Sequence, residues 1–108
     1  MQRFADRSVV ITGAGSGIGR ATAERLAAEG ALLTLSDVNA EGLEETTVTC
    51  RESGAAVTAV VSDVSDEAAV ADLIGGAVAE HGRLDVLVNV AGILQVKDFR
   101  LTPLEEFN

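Results

Sequence analysis

The sequence predicts an α/β fold of the doubly wound type, built on a parallel sheet. Four short runs rich in Val, Ile, Leu and Thr recur along the chain, and the stretches between them have helical spacing. The runs are apolar throughout rather than alternating, as strands are when helices cover both faces of a sheet. Strands that alternate with helices imply right-handed crossovers and parallel pairing. The predicted buried strands span residues 8–12, 32–36, 56–61 and 84–90.

The helical stretches have an apolar face and recognisable ends. In the third stretch, apolar residues at steps of three and four predict one buried face, formed by Val70, Leu73, Ile74, Ala77 and Val78. Ser65 precedes this stretch and is its predicted N-cap. Gly30 and Gly82 follow the first and third stretches, where a left-handed residue commonly ends a helix. Gly75 and Gly76 fall inside the third stretch, and the sequence offers no reason for them.

The composition limits the partners that this chain can have. A chain of 108 residues has room for one domain, and its net charge of −9 repels nucleic-acid backbones and anionic lipid surfaces. We therefore expect a dissolved small molecule as the partner, with no nucleic acid and no membrane. Cys50 is the only cysteine and can form no internal disulfide. Because no signal peptide or membrane-spanning run is visible either, we expect a cytoplasmic protein.

A glycine-rich segment, Thr-Gly-Ala-Gly-Ser-Gly-Ile-Gly at residues 12–19, lies directly between the first predicted strand and the first predicted helix. Backbone N–H groups at a helix start, together with the helix dipole, attract a phosphate. Glycine permits a tight turn, a close approach of a pyrophosphate and close packing of the helix on the sheet. A flexible glycine turn without a ligand is the alternative interpretation.

Two motifs carry a resemblance to a known family. Thr-Gly-x-x-x-Gly-x-Gly at residues 12–19, followed by Asn-Val-Ala-Gly at residues 89–92, resembles the short-chain dehydrogenase/reductase family, whose second motif is Asn-Asn-Ala-Gly. The resemblance runs from Ser8 to Asn108. It implies a Rossmann-type sheet with strand order 3-2-1-4. It also implies an NAD site whose loop contacts come from Gly13, Ser16, Gly17, Ile18 and Gly19.

Asp37 is the candidate for cofactor choice. It ends the second predicted strand 18 positions after Gly19 (37 − 19), close to the spacing of about 20 for an acid that binds the adenosine ribose. Its carboxylate would repel a 2′-phosphate, so we expect NAD to be preferred over NADP. Family members that prefer NADP commonly carry a basic residue where this chain has Ser16 or Val38. The alternative is that Asp37 only opens a polar turn.

Asp63 and Val64 follow the third predicted strand, at the edge of the sheet where ligands of open α/β folds gather. By resemblance they contact adenine, because a carboxylate can accept from the exocyclic amine while the next backbone N–H reads the ring edge. Capping of the following helix by Asp63 or Ser65 is the alternative role, and the two roles can hold together.

Asn89 ends the fourth predicted strand. Its amide both donates and accepts, so it can bridge backbone groups, and we expect it to position the site rather than transfer a proton. Ala91 and Gly92 are small and leave room for the cofactor ribose. Val90 replaces the second asparagine of the family motif and removes one polar side chain.

Other reactive residues are predicted to have structural roles. His81 is the only histidine and precedes Gly82 at a helix end, where a partly positive ring suits the dipole. Cys50 lies in a helical stretch without a basic partner nearby in the sequence. The acidic run on the second helix is predicted to be a solvated face, formed by Glu41, Glu44 and Glu45. No metal site is expected.

The catalytic residues of the family have no counterpart here. Its members use a Tyr-x-x-x-Lys pair and a Ser on the substrate oxygen, and this chain contains no tyrosine. We therefore expect residues 1–108 to be the amino-terminal part of a single Rossmann-type domain, truncated at the start of the helix after strand 4. If the chain stopped there, Val86 and Val88 would lie on a bare, aggregation-prone edge strand.

The leading interpretation is the cofactor-binding half of an NAD-dependent oxidoreductase, which transfers hydride between the nicotinamide cofactor and an alcohol or ketone. We expect its full-length parent to be a homo-oligomer that acts on a small-molecule substrate. One alternative is a non-enzymatic NAD-binding module that senses or sequesters nucleotide, or that pairs its open edge with a partner chain. An inactive remnant is the third possibility.

Overall fold

Strands and helices alternate along the chain. The computed structural model describes residues 3–89 and 92–95. The helices are α1 (Gly17–Ala28), α2 (Ala40–Glu52) and α3 (Glu67–His81). The strands are β1 (Ser8–Thr12), β2 (Leu32–Asp37), β3 (Ala56–Val61), β4 (Val86–Asn89) and β5 (Gly92–Gln95).

The sheet has the strand order β3-β2-β1-β4-β5, so the predicted order 3-2-1-4 is confirmed. The first four strands pair in parallel, with Ser8 opposite Leu32 and Val9 opposite Val86. In a parallel sheet the carboxyl ends of all strands lie at one edge, and ligands of open α/β folds bind there. The loops that follow β1, β2 and β3 and the end of β4 are therefore neighbours.

Helices cover the two faces of the sheet, and each face has its own core. Val9 and Ile11 of β1 pack in a cluster with side chains of β2, α1 and α2, whereas Val10 packs in a second cluster with Leu73 and Ala77 of α3. This alternation follows from the pleat, which turns successive side chains to opposite faces. All five residues of β1 are buried, as expected for a central strand covered on both sides.

The prediction that every strand is buried was wrong for β3. Among the described helices, α2 packs most closely against it, and β3 lies at an edge of the sheet. Its residues are exposed or half-buried, and the Val61 side chain is 58% exposed. An apolar run therefore marked a strand correctly, but it did not show that helices cover both faces of that strand.

The fourth strand is shorter than predicted. Leu84 lies in the second core cluster, which accounts for its apolar side chain, but it is not part of the strand. The pairing of β4 with β1 begins only at Val86. The prediction of a bare edge at β4 was also wrong. Strand β5 pairs with β4 in the antiparallel direction, from Val86 opposite Gln95 to Asn89 opposite Gly92, so the backbone groups on that side have partners. Val90, the last residue of the predicted strand, lies outside the described residues.

The ends of the helices agree with the sequence pattern at two glycines. Gly30 and Gly82 have φ angles of 86° and 78°, the left-handed conformation predicted at both places. The N-cap prediction for α3 was wrong by one residue. The Ser65 hydroxyl donates to Asp63, and it is Asp66 whose carboxylate accepts from Ala68 N at 2.9 Å.

Gly75 and Gly76 lie on the exposed side of α3, and a Cβ at either position would meet no atom within 4 Å. Close packing therefore does not explain them. Within the described part of the chain, no helix combines the length and the apolar character needed to cross a bilayer.

Asp85 joins the start of β4 to the start of β1. Its backbone N–H donates to Ser8 O at 2.9 Å, and its carboxylate accepts from Ser8 N at 2.8 Å. Partial burial by itself raises the pKa of the Asp85 carboxyl. Hydrogen bonds from Arg83 and Ser8, together with the charges of Arg83 and Arg7, outweigh burial and hold this pKa below the ordinary 3.8.

This arrangement predicts a pH-dependent contribution to stability. Because the pKa of Asp85 is lowered by folding, its stabilisation is complete above pH 3.8 and is lost as the pH falls through the folded value. We expect Asp85→Asn to lower the free energy of unfolding by about 1–3 kcal/mol at pH 7 and by much less at pH 3. Urea unfolding of the full natural chain at both pH values measures this difference. Glu44→Gln, which removes an exposed charge, is the matched control; an equal loss for D85N at both pH values would contradict the assignment to charge.

Candidate functional site

Four of the predicted site segments meet at the carboxyl edge of the sheet. The glycine loop follows β1, Asp37 ends β2, Asp63 follows β3, and Asn89 ends β4. Two further contacts hold neighbouring strand ends together: the hydroxyls of Ser36 and Ser62 lie 2.7 Å apart, and Ser62 N donates to Asp37 O at 3.1 Å. The sheet topology thus brings residues that are far apart in the sequence to one place.

The loop between β1 and α1 requires glycine at specific positions. Gly13 and Gly17 have φ angles of 69° and 57°, which L side chains rarely adopt. Gly19 has a different reason. A Cβ on Gly19 would overlap the carbonyl oxygen of Gly13, so α1 could not begin so close to the end of β1 with any larger residue. Two of these glycines therefore serve the turn and one serves the close packing of the helix.

The amino end of α1 is suited to an anion. Ser16 is its N-cap, but the Ser16 side chain makes no capping hydrogen bond, and the first turn contains no acidic residue. The first N–H groups of a helix have no partner within the helix, and they carry the positive end of its dipole. Ser16, Gly17 and Ile18 are all exposed. The cradle predicted for a phosphate is therefore open to solvent and carries no competing negative charge in the first turn.

Asp37 lies against the glycine loop. Its Oδ2 accepts from Gly15 N at 2.8 Å, and its Oδ1 accepts from Asn39 N at 2.9 Å. The second bond belongs to the turn that leads into α2, so the alternative role of Asp37 in a polar turn is also present. A Cβ on Gly15 would lie 2.8 Å from Asp37 Oδ2, which shows how closely the loop approaches this carboxylate. Each carboxylate oxygen still has a lone-pair site for another donor.

Asp63 forms a local turn at the end of β3. Its Oδ1 accepts from the Ser65 backbone N–H at 3.0 Å and from the Ser65 hydroxyl at 2.8 Å, and these bonds lower the pKa of the Asp63 carboxyl. The carboxylate is exposed, so it remains accessible to a ligand while it stabilises the turn. Val64 packs its side chain against the second core cluster.

Asn89 lies beside the glycine loop, because it pairs in register with Thr12 at the end of β1. Its side chain is half-buried. Gly92 begins β5 and pairs with Asn89. Ala91, which the resemblance also placed in the cofactor site, lies outside the described residues. The hydroxyl of Thr12 is buried and has no hydrogen-bond partner among the described residues.

Sequence reasoning missed two features of this edge. Helix α2 packs against the glycine loop: Thr46 Oγ1 donates to Ala14 O at 2.8 Å, and Gly42 lies close to the backbone of Gly15. A threonine four residues after a helical glycine was the only signal, and that spacing is common. The second feature is the exposure of two apolar side chains at the same edge, Val38 and Val61, in addition to that of the predicted contact Ile18.

The residues predicted to be structural are remote from this edge or buried. His81 ends α3, which runs back from the carboxyl edge of the sheet to the opposite edge. Cys50 is fully buried in the first core cluster, and burial together with the negative charge of Glu24 raises its pKa to about 11. The acidic face of α2 is exposed, as predicted. In the described ranges, no group of three or more His, Cys, Asp or Glu residues could hold a metal ion.

Comparison with known proteins identifies the same family as the two sequence motifs. A family model described as short chain dehydrogenase matches residues 7–108. Levodione reductase of Leifsonia aquatica is 49% identical over 107 residues, which cover 97% of this chain and 39% of that protein. Cis-4-hydroxycyclohexanecarboxylate dehydrogenase of Sinomonas cyclohexanicum is 46% identical over 107 residues, which cover 99% of this chain and 41% of that protein.

A solved structure shows the same fold. The crystal structure of a short chain dehydrogenase/reductase from Burkholderia phymatum in complex with NAD is 44% identical and aligns with a TM-score of 0.74, over 81% of this chain and 31% of that one. This chain spans about two fifths of the length of the two curated relatives. The match of the family model over residues 7–108, the strand order and the two motifs agree. The chain belongs to the short-chain dehydrogenase family of oxidoreductases.

Proposed function

We propose that this chain is the cofactor-binding portion of an NAD-dependent oxidoreductase, which transfers hydride between a nicotinamide cofactor and an alcohol or ketone. The observation that carries the proposal is the position of Asp37, whose carboxylate is held 2.8 Å from the N–H of Gly15 at the junction of the glycine loop and β2. An acid at this place favours two ribose hydroxyls and disfavours a 2′-phosphate. NAD, when bound, supplies the hydride acceptor.

The residues of the site fit the parts of NAD. The uncapped amides at the start of α1 would hold the pyrophosphate, and Asp37 would accept from the adenosine ribose. Asp63 and Val64 would contact the adenine, and the exposed Val38 offers it an apolar surface. Asn89 would position the site through its amide, and Ala91 and Gly92 would leave room for the cofactor ribose. The cofactor-binding set thus comprises Gly13, Ser16, Gly17, Ile18, Gly19, Asp37, Asp63, Val64, Asn89, Ala91 and Gly92.

The chemistry at the substrate belongs to residues that this chain lacks. We propose that the Ser, Tyr and Lys of the family lie in a longer parent protein, because residues 1–108 contain no tyrosine and match only two fifths of their relatives. Two of these relatives are named as a reductase and a dehydrogenase, which supports an alcohol or ketone as the substrate class. We also propose a cytoplasmic homo-oligomer for the parent.

The mass of the natural protein tests the proposal of a longer parent. We expect the intact mass of material purified from its natural source to exceed 11.1 kDa by more than any covalent modification could add. That material should also reduce NAD in the presence of an alcohol. A mass near 11.1 kDa with NAD binding but no turnover would favour a binding module instead, and a mass near 11.1 kDa without binding would favour an inactive remnant.

The choice of cofactor tests the role of Asp37. Calorimetric titration of the full natural chain should show NAD binding more tightly than NADP. Asp37→Asn keeps the shape and one acceptor oxygen but removes the charge, so we expect the preference for NAD to fall by about tenfold or more. Glu44→Gln removes an equal charge from an exposed part of α2 and should leave the preference unchanged. An unchanged preference in D37N would remove the assigned role of Asp37.

Close packing at Gly19 gives a second test. In Gly19→Ala the new Cβ meets the carbonyl of Gly13, so the loop must shift, and we expect NAD affinity to fall by about tenfold or more together with some loss of stability. Gly75→Ala is the control for a glycine inside a helix. Nothing lies near its Cβ, and we expect it to stabilise the protein by about 0.5–1 kcal/mol without changing NAD affinity. Equal NAD affinities in the two variants would contradict the packing argument.

A further inference from the structure

The glycine loop rests on α2 through a buried hydrogen bond. Thr46 Oγ1 lies 2.8 Å from the carbonyl oxygen of Ala14 and 3.1 Å from that of Gly42. A threonine hydroxyl has one hydrogen to donate, and the shorter of its two contacts is the one to Ala14 O in the loop. Thr46 and Ala14 have no exposed surface, so water cannot take the place of this bond.

The bond acts on one peptide unit of the loop. The carbonyl of Ala14 and the N–H of Gly15 belong to the same planar group, so a bond that orients the carbonyl also orients the N–H. That N–H donates to Asp37 Oδ2 at 2.8 Å. The Ala14–Gly15 peptide is therefore held at both ends, by Thr46 at its oxygen and by Asp37 at its nitrogen.

Gly42 completes this contact between α2 and the loop. A Cβ on Gly42 would lie 2.5 Å from the carbonyl oxygen of Gly15, so this residue must be small for α2 to reach the loop. The side chain of Asn39 caps α2 by accepting from Gly42 N at 3.2 Å, and the N–H of Asn39 donates to Asp37 Oδ1. The start of α2 and the carboxylate of Asp37 are thus parts of one hydrogen-bonded unit.

We propose that Thr46 is a positioning residue for nucleotide binding. It orients the Ala14–Gly15 peptide so that the N–H of Gly15 holds the Asp37 carboxylate ready for ribose hydroxyls. The proposal rests on the proposed function, because it gives Thr46 a role only through the Asp37 carboxylate. A carboxylate held in one orientation loses less freedom when the nucleotide binds, and this raises affinity.

The neighbouring residue provides a matched control. Thr47 is as buried as Thr46, and its hydroxyl also donates to the carbonyl four residues earlier, Leu43 O, at 2.8 Å. It makes no hydrogen bond to the loop. Thr46→Val and Thr47→Val therefore remove the same groups from adjacent positions of one helix, and they differ in the bond to Ala14.

The test measures NAD affinity and the exchange of the Gly15 amide hydrogen in the full natural chain. We expect T46V to weaken NAD binding by about tenfold, and T47V and the conservative T46S by about twofold or less. In the nucleotide-free protein, the Gly15 amide should exchange faster in T46V than in T47V. In a D37A background, T46V should lower affinity by less than about twofold, because the residue through which it acts is gone.

A second variant acts on the loop at the next peptide unit, Gly15–Ser16, without touching the hydroxyl of Thr46. Gly42→Ala places a Cβ 2.5 Å from Gly15 O, so α2 and the loop must move apart, and we expect NAD affinity to fall as in T46V. Urea unfolding of each variant shows whether the chain stays folded under the conditions of the binding measurement. If T46V and G42A both match T47V in affinity and in Gly15 exchange, the positioning role is overturned while the proposed function stands. If the unaltered protein binds neither NAD nor NADP, the proposed function fails and the positioning role fails with it.

Discussion

The close approach of α1 to the turn after β1 is the constraint on which the rest of the site depends. Only glycine at position 19 lets the helix begin against the carbonyl of Gly13. With α1 in this place, its first amide groups face the carboxyl edge of the sheet, and the preceding loop lies within hydrogen-bonding distance of β2. Ala14 N donates to Ser36 O at 3.0 Å, and Gly15 N donates to Asp37. A larger residue at position 19 would therefore displace both the amino end of α1 and the loop residue Gly15 that binds Asp37.

The parallel sheet explains why a few local contacts are enough to assemble the site. The pleat divides the core into two clusters, one under α1 and α2 and one under α3, and β1 lies between them with no exposed residue. Because all four parallel strands end at one edge, their ends lie side by side there, with Asp37 at the end of β2 and Asn89 at the end of β4. Short bonds such as that between Ser36 and Ser62 then hold the strand ends in register. The apolar side chains that pack against the helices thus form the two core clusters, and the candidate site lies at the ends of the strands.

Much of this arrangement could be predicted from residues close together in the chain. The bounds of β1 and β3, the glycine helix ends and four of the five predicted apolar-face residues of α3 follow local patterns and agree with the structure. One of the failures is local, and the other two depend on distant residues. Ser65 does not cap α3, because Asp63 accepts its hydroxyl hydrogen. Strand β3 is apolar yet exposed, because its burial depends on which helices cover an edge strand. The edge of β4 is covered by β5, a pairing that no periodicity indicated.

By itself, the sequence determined the family, the order of strands and helices and the residue types of the candidate site, because motif spacing and hydrophobic periodicity are properties of neighbouring residues. Only the tertiary structure decided how those residues act on one another. The bond from Thr46 to Ala14 spans 32 positions and the bond from Asp37 to Gly15 spans 22. Such bonds form only when packing has brought α2 and β2 against the loop, and no pattern within a single element specifies them.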